Sequence, residues 1–139
     1  MENNDLVLSF TIPVKPRTKK NHQQFIRPGQ GGRVVAIPSK PYKQFEDECL
    51  RLIPGQAKLL INYPVNIKAV YYVDTRRKVD KTNLESALMD VLTKAGVLAD
   101  DSAVNPEIVV TTDGSRVKID RKNPRIEVEI TKYAEWMVE

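Results

Sequence analysis

Cysteine, histidine and long apolar runs are nearly absent from this chain of 139 residues. Cys49 is the single cysteine and His22 is the single histidine. A lone cysteine excludes an intrachain disulfide framework and a thiolate zinc cluster, and a lone histidine excludes a multi-histidine metal site within one chain. Because soft ligands are absent, any metal would be held by oxygen, which indicates Mg²⁺, Mn²⁺ or Ca²⁺.

No apolar run approaches the ~20 residues that span a bilayer, and the N-terminal stretch from Met1 to Asp5 does not resemble a signal peptide. We therefore expect a soluble, cytoplasmic protein without a membrane partner. The length suits one domain, because domains commonly contain ~100–150 residues. Residues 1–139 are accordingly expected to form a single domain.

The net charge of +4 is small, with 22 Lys and Arg against 18 Asp and Glu, but the charges are unevenly distributed. Basic residues are concentrated in 15–20, in 76–78 and in 116–125, whereas Asp100 and Asp101 are adjacent acids. An enzyme acting on phosphodiesters needs cations that hold the nucleic-acid backbone around carboxylates that hold a metal. The alternative from composition alone is that the basic runs are solvated loops.

Apolar periodicity predicts a small α+β domain. Alternating apolar and β-branched residues predict strands at 7–13, 64–73, about 106–112 and 125–132. One helix is expected to begin near Pro41, to end at Pro54-Gly55 and to bury Cys49 in its apolar stripe. A second helix follows Asp80, and 14–38 is expected to be a long loop. The order β-α-β-α-β-β predicts a mixed β-sheet with helices packed on it.

The second helix has the clearest pattern in the chain. One apolar face is formed by Leu84, Ala87, Leu88, Val91, Leu92 and Ala95. Thr82 and Glu85 match a capping box at its start. Lys94 in the last turn and Gly96 just after it give the usual stop signal.

Acidic residues bracket this helix. Asp80 lies where a strand leads into the helix, and Asp100 and Asp101 follow a few residues after its end. Carboxylates at the ends of rigid elements are well placed to meet around a hard divalent cation, which activates water and neutralises phosphate charge. The alternative is structural, with Asp80 as a helix cap and Asp100-Asp101 as ordinary loop polarity.

Residues 76–104 combine these features into a longer pattern. It consists of the run Arg76-Arg77-Lys78, the helix start Asp80-x-x-Asn83-Leu84, a helix body, Gly96 and the pair Asp100-Asp101. This combination resembles the RusA family, which are small, homodimeric, Mg²⁺-dependent Holliday-junction resolvases common in phages and prophages. The combination is specific, although Asp-x-x-Asn alone would be weak.

The resemblance implies catalytic, metal-binding aspartates at Asp80, Asp100 and Asp101, with Mg²⁺ as the cofactor and Mn²⁺ as a substitute. Two positions depart from the family pattern: Thr82 replaces a second aspartate, and Ser86 replaces a lysine that the family uses in catalysis. Either the chain is an active variant, or catalysis is weakened while DNA binding remains. Asp80 and Asp101 can meet within one chain only if the segment after the helix runs back along it, and otherwise they would meet across a dimer interface.

The implied function is a structure-selective endodeoxyribonuclease that resolves four-way DNA junctions as a homodimer in recombination and repair. The residues expected to contact DNA phosphates are Lys15, Arg17, Lys19, Lys20, Arg76, Arg77, Lys78 and Lys81. Two alternatives remain open. One is a junction- or nucleic-acid-binding protein that does not cleave, and the other is a small phosphate- or RNA-binding module whose aspartate pair is only a loop feature.

Overall fold

The computed structural model describes residues 5–18, 23–26, 35–38, 40–76, 79–99 and 110–133, with the backbone alone for 23–26 and 35–38. The elements in chain order are β1 (Leu6–Ile12), β2 (Gln23–Ile26), β3 (Val35–Pro38), α1 (Lys40–Leu52), a 3₁₀ turn (Gly55–Ala57), β4 (Val65–Val73), α2 (Lys81–Lys94), β5 (Val110–Thr111), β6 (Arg116–Ile119) and β7 (Arg125–Lys132). No helix among the described residues is long and apolar enough to cross a membrane.

The main sheet is mixed, and β4 lies inside it. Its order is β1-β7-β4-β5, and β6 also pairs with β4. Strand β7 is antiparallel to both β1 and β4, whereas β5 and β6 are parallel to β4. The predicted α+β class with a mixed sheet is therefore confirmed.

One face of the sheet and the apolar faces of both helices form the core. In β4, alternate residues are buried on this face, so the two-residue period of a half-covered strand is retained. The apolar stripe predicted for α2 is buried as expected. Cys49 is 0 % exposed in the same cluster, and burial raises the pKa of its thiol to about 12. The cysteine is therefore a core residue and remains a neutral thiol.

A buried carboxylate joins the two helices. Glu46 on α1 is 5 % exposed and accepts a hydrogen bond of 2.8 Å from the ammonium of Lys94 on α2. Burial raises the pKa of Glu46, but the ammonium groups of Lys94 and Lys43 more than offset this effect, so the pKa lies below its ordinary value. The positive charge of Lys94 is thus neutralised by the carboxylate of Glu46.

Three of the described strands were not expected from the sequence pattern. The segment 14–38, predicted as a loop, contains β2 and β3, which pair antiparallel. Strand β6 was missed because its basic residues resemble a solvated charge run. The predicted strand at 106–112 is represented by β5, and residues 106–109 lie outside the described part of the chain.

Candidate active site

Helix α2 begins directly after Asp80 rather than at Thr82. Asp80 has an extended backbone, with φ −76° and ψ 111°, and its Oδ1 accepts hydrogen bonds from the amides of Thr82 at 2.9 Å and Asn83 at 3.4 Å. These are two of the amides that a helix N-terminus leaves unpaired. The capping box with Thr82 as the cap was therefore wrong, because the carboxylate two residues earlier captures the amides and also favours the helix dipole.

This cap leaves Asp80 accessible to a ligand. Its side chain is exposed, and Oδ1 accepts both of the hydrogen bonds from the helix amides. Oδ2 accepts no hydrogen bond from a described residue. A carboxylate has two oxygens with several acceptor sites, so one oxygen can hold the helix while the other meets a cation. The residue thus fits a hard divalent cation by its donor chemistry and its fixed position.

The other two aspartates predicted to bind the metal with Asp80 are not among the described residues. Asp100 and Asp101 lie outside the described residues. Within the described ranges, no group of three or more His, Cys, Asp or Glu residues could hold a metal ion. Of the predicted metal ligands, the structure therefore describes Asp80 alone.

The chain after α2 turns back sharply at Gly96, where φ is +82°. The amides of Val97 and Leu98 both donate to the carbonyl of Leu92, at 3.0 and 3.3 Å, and the amide of Ala99 donates to the carbonyl of Ile61 at 2.9 Å. Only a residue without a side chain adopts such a φ at little cost. The chain from Gly96 to Ala99 is therefore held first against the last turn of α2 and then beside Ile61.

Four of the eight predicted DNA-contacting residues are described, and they are Lys15, Arg17, Arg76 and Lys81. The other four, Lys19, Lys20, Arg77 and Lys78, lie outside the described residues. Lys15 bonds to Asp74, which directly follows β4, at 2.8 Å. This hydrogen bond lowers the pKa of Asp74 below its ordinary value, and the charge of Arg17 adds to the effect. Lys15 and Arg17 thus lie near the end of β4, from which the chain leads to Asp80.

Lys81 was predicted to contact DNA, but its hydrogen bond within the fold was not predicted. Its Nζ donates to the carbonyl oxygen of Ser115 at 3.2 Å. Ser115 is 34 residues further along the chain, so no helical or strand periodicity could have indicated this contact.

A second feature missed by the sequence is an open cavity of about 320 Å³ on the sheet face opposite α2. Charges of both signs line it, including Lys68, Arg116 and Lys118 on one side and Glu127 and Glu129 on the other. Lys68 and Glu129 are 3.9 Å apart. Charges of opposite sign partly neutralise each other in this cavity, and Asp80 is not among its lining residues.

Comparisons with known proteins agree with the resemblance. The family model described as Endodeoxyribonuclease RusA matches residues 13–131. The curated crossover junction endodeoxyribonuclease RusA of Escherichia coli strain K12 is 30% identical over 115 residues, covering 80% of this chain and 90% of that protein. The corresponding protein of Enterobacteria phage 82 is 29% identical over 114 residues, covering 79% and 89%. The family match includes every candidate residue from Lys15 to Asp101.

Proposed function

This chain belongs to the RusA family of endodeoxyribonucleases, and on that premise we propose that it resolves four-way (Holliday) DNA junctions by Mg²⁺-dependent hydrolysis in recombination and repair. The observation that carries the proposal is the position and exposure of the Asp80 carboxylate. It is an exposed carboxylate, fixed at a helix start, with one oxygen not used by the described residues. Relatives with the same overall match are named crossover junction endodeoxyribonucleases.

In this proposal, Asp80, Asp100 and Asp101 are the catalytic residues and hold Mg²⁺, for which Mn²⁺ can substitute. The bound cation would supply a more acidic water and neutralise charge on the phosphate. Asp80 is oriented for this role by the amides of α2, so it need not be reordered when a ligand arrives. Asp101 is two residues after Ala99, so covalent geometry limits the distance between their Cα atoms to about 7 Å.

The basic residues position the DNA backbone without reading its sequence. They are Lys15, Arg17, Lys19, Lys20, Arg76, Arg77, Lys78 and Lys81. The bond between Lys15 and Asp74 does not prevent this role, because an ion pair with side chains 42% and 33% exposed contributes only about 0–1 kcal/mol and a phosphate can replace it. If about six contacts form, log K should fall with log salt with a slope near −5.

A homodimer suits a four-way junction because the substrate has approximate two-fold symmetry and needs two cuts. Mixed dimers determine how each site is built. Asp80→Asn protein is mixed with Asp101→Asn protein under conditions that exchange subunits. If each site combines the two aspartates of different subunits, the mixed dimer contains one intact site and nicks the junction. If each site lies within one subunit, the mixed dimer is inactive.

The function itself is tested by cleavage of an end-labelled four-way junction in Mg²⁺ or Mn²⁺, with a linear duplex and chelator as controls. We expect wild type to cut the junction in preference to the duplex, and Asp80→Asn and Asp101→Asn to bind without cutting. Normal cleavage by Asp101→Asn would refute the site assignment. If wild type binds the junction tightly but never nicks it, the proposal that the chain is an enzyme is refuted.

The second candidate function is a junction-binding protein that does not cleave. It is favoured by Thr82 and Ser86, which replace a carboxylate and a lysine of the family pattern. Thr82 has no capping role that would explain its presence, since Asp80 caps the helix. The cleavage assay separates the two functions directly.

A further inference from the structure

The connection between β5 and β6 is fixed by side chains rather than by a strand ladder. Strand β5 pairs with Val65 and Asn66, and β6 pairs with β4 from Val70 onward. The stretch of β4 between these two pairings lies beside the connection. Its backbone groups on that side need other partners, because unpaired buried amides and carbonyls are costly.

Ser115 supplies those partners. It is 8% exposed, its Oγ accepts a hydrogen bond from the amide of Ala69 at 2.9 Å, and the same hydroxyl donates to the carbonyl of Ile67 at 3.2 Å. One serine side chain thus takes the place of a missing strand neighbour. The position of its own backbone is therefore determined by β4.

Two further residues hold the connection. The Asn66 Oδ1 accepts from Thr111 Oγ1 at 2.6 Å and from the Asp113 amide at 2.8 Å, and its Nδ2 donates to the Asp113 carbonyl at 3.1 Å. Gly114 has φ +85°, and a Cβ at this position would lie 2.9 Å from Cδ of Lys68. Asn66 thus ties Thr111 and Asp113 to β4, and Gly114 supplies the positive φ of the turn.

The carbonyl of Ser115 holds the ammonium of Lys81, the residue that follows Asp80. A carbonyl uses one of the three N–H donors of an ammonium and does not neutralise its charge. No described carboxylate forms an ion pair with Lys81, in contrast to Lys94, whose ammonium is 2.8 Å from Glu46. The ammonium of Lys81 therefore has N–H donors and a positive charge left for an anionic ligand such as a phosphate.

We propose that Ser115 is a positioning residue of the candidate active site, which holds in place the ammonium of Lys81, the residue after Asp80, so that Lys81 binds a DNA phosphate with little loss of side-chain freedom. This inference rests on the proposed function, since it takes DNA as the ligand. It adds a residue from the β5–β6 connection, 35 positions after Asp80 in the chain, to the site.

The first test measures binding of the full chain to a labelled four-way junction in chelator, over a range of salt concentrations. We expect Lys81→Met to reduce the magnitude of the slope of log K against log salt by about 0.9, which corresponds to one phosphate contact. The control is Lys58→Met, which removes the same charge near Gly96, at the other end of α2, and should leave the slope unchanged. An unchanged slope for Lys81→Met overturns the proposal.

The second test is a double-mutant cycle, which isolates the coupling between two residues. Ser115→Ala should weaken junction binding about 2- to 12-fold when Lys81 is present, from the cost of ordering one long side chain. It should have no effect in the Lys81→Met background, and Ser115→Thr should restore binding. Equal weakening in both backgrounds means that Ser115 acts on the fold alone, and it overturns the proposal.

If Ser115→Ala does not fold, Asn66→Ala takes its place in the cycle, because it removes the bonds to Thr111 and Asp113 without changing the charge. Cleavage in Mg²⁺ is measured in parallel. If wild type binds the junction but does not cleave it, the proposed function fails, while the slope and the cycle still decide this inference. If wild type cleaves and the cycle shows no coupling, only this inference fails.

Discussion

The two roles of Asp80, as a helix cap and as a metal ligand, can be separated by substitution. Asparagine caps helices about as well as aspartate, so Asp80→Asn should retain the bonds to Thr82 and Asn83. It removes the negative charge at the helix N-terminus, which contributes about 0.3–1 kcal/mol. Asp80→Ala also loses the cap, at a further cost of about 0.5–2 kcal/mol.

Neither cost can explain a large loss of activity. Domains are commonly stable by about 5–15 kcal/mol, so either variant should remain almost fully folded at 25 °C. If Asp80 holds the metal, both variants should lose cleavage by orders of magnitude while still binding the junction. If Asp80 is only a cap, Asp80→Asn should cleave like wild type, and Asp80→Ala should lose stability without losing activity.

The assay combines urea denaturation with cleavage and binding of the labelled junction. Asp120→Asn is the control, because Asp120 Oδ1 also accepts from two following amides, those of Lys122 and Asn123, at 3.2 Å each. This variant also loses the ion pair between Asp120 Oδ2 and Arg125. It should affect stability but retain cleavage. Wild-type cleavage by Asp80→Asn, with stability lowered only slightly, would refute the assignment of Asp80 as a ligand.

Further predictions concern the turn, the helix pair and the altered family position. Gly114→Ala should destabilise the fold by about 1 kcal/mol or more in urea unfolding, because φ is positive, whereas Gly55→Ala, with open space around it, should be nearly neutral. Glu46→Gln should cost about 1–3 kcal/mol at pH 7. Because Lys94 holds the Glu46 pKa below its ordinary 4.5, this difference should shrink as pH falls below that value, and a constant difference would contradict the pairing. Thr82→Asp should maintain or raise Mg²⁺ affinity by calorimetry, and a drop with the fold intact would count against a metal at this position.

The elements that could be predicted from the sequence are those whose burial follows a regular period. Helix α2 and strand β4 are long enough for their apolar faces to be unambiguous, and both are placed within a residue or two of their observed bounds. The helix start was assigned to Thr82 instead of Asp80 because the capping box and the carboxylate cap compete for the amide of Thr82. The local hydrogen bonds of the cap decide between the two, and the periodicity of the apolar residues does not distinguish them.

Strand β6 and the contact of Lys81 escaped prediction because their partners are far away in the chain. After Thr111, the last residue of β5, side-chain bonds of Ser115 and Asn66 hold the connection to β4 in place of a strand ladder. The contact between Lys81 and Ser115 is of the same kind. For the candidate site, the sequence pattern and the family resemblance indicated Asp80, whereas the residue that holds its neighbour became visible only in three dimensions.

The position of β7 between β1 and β4 has a consequence for how the chain is made. Synthesis proceeds from the N-terminus at about 5–20 residues per second, so β1 and β4 emerge first and await the strand that joins them. The sheet order β1-β7-β4 places Arg125–Lys132 at this joint. Long-range pairings of this kind slow folding because loop closure precedes the gain from contact. A chain that ends before Arg125 therefore leaves one edge of β1 and one edge of β4 unpaired, so the sheet that leads to Asp80 is incomplete.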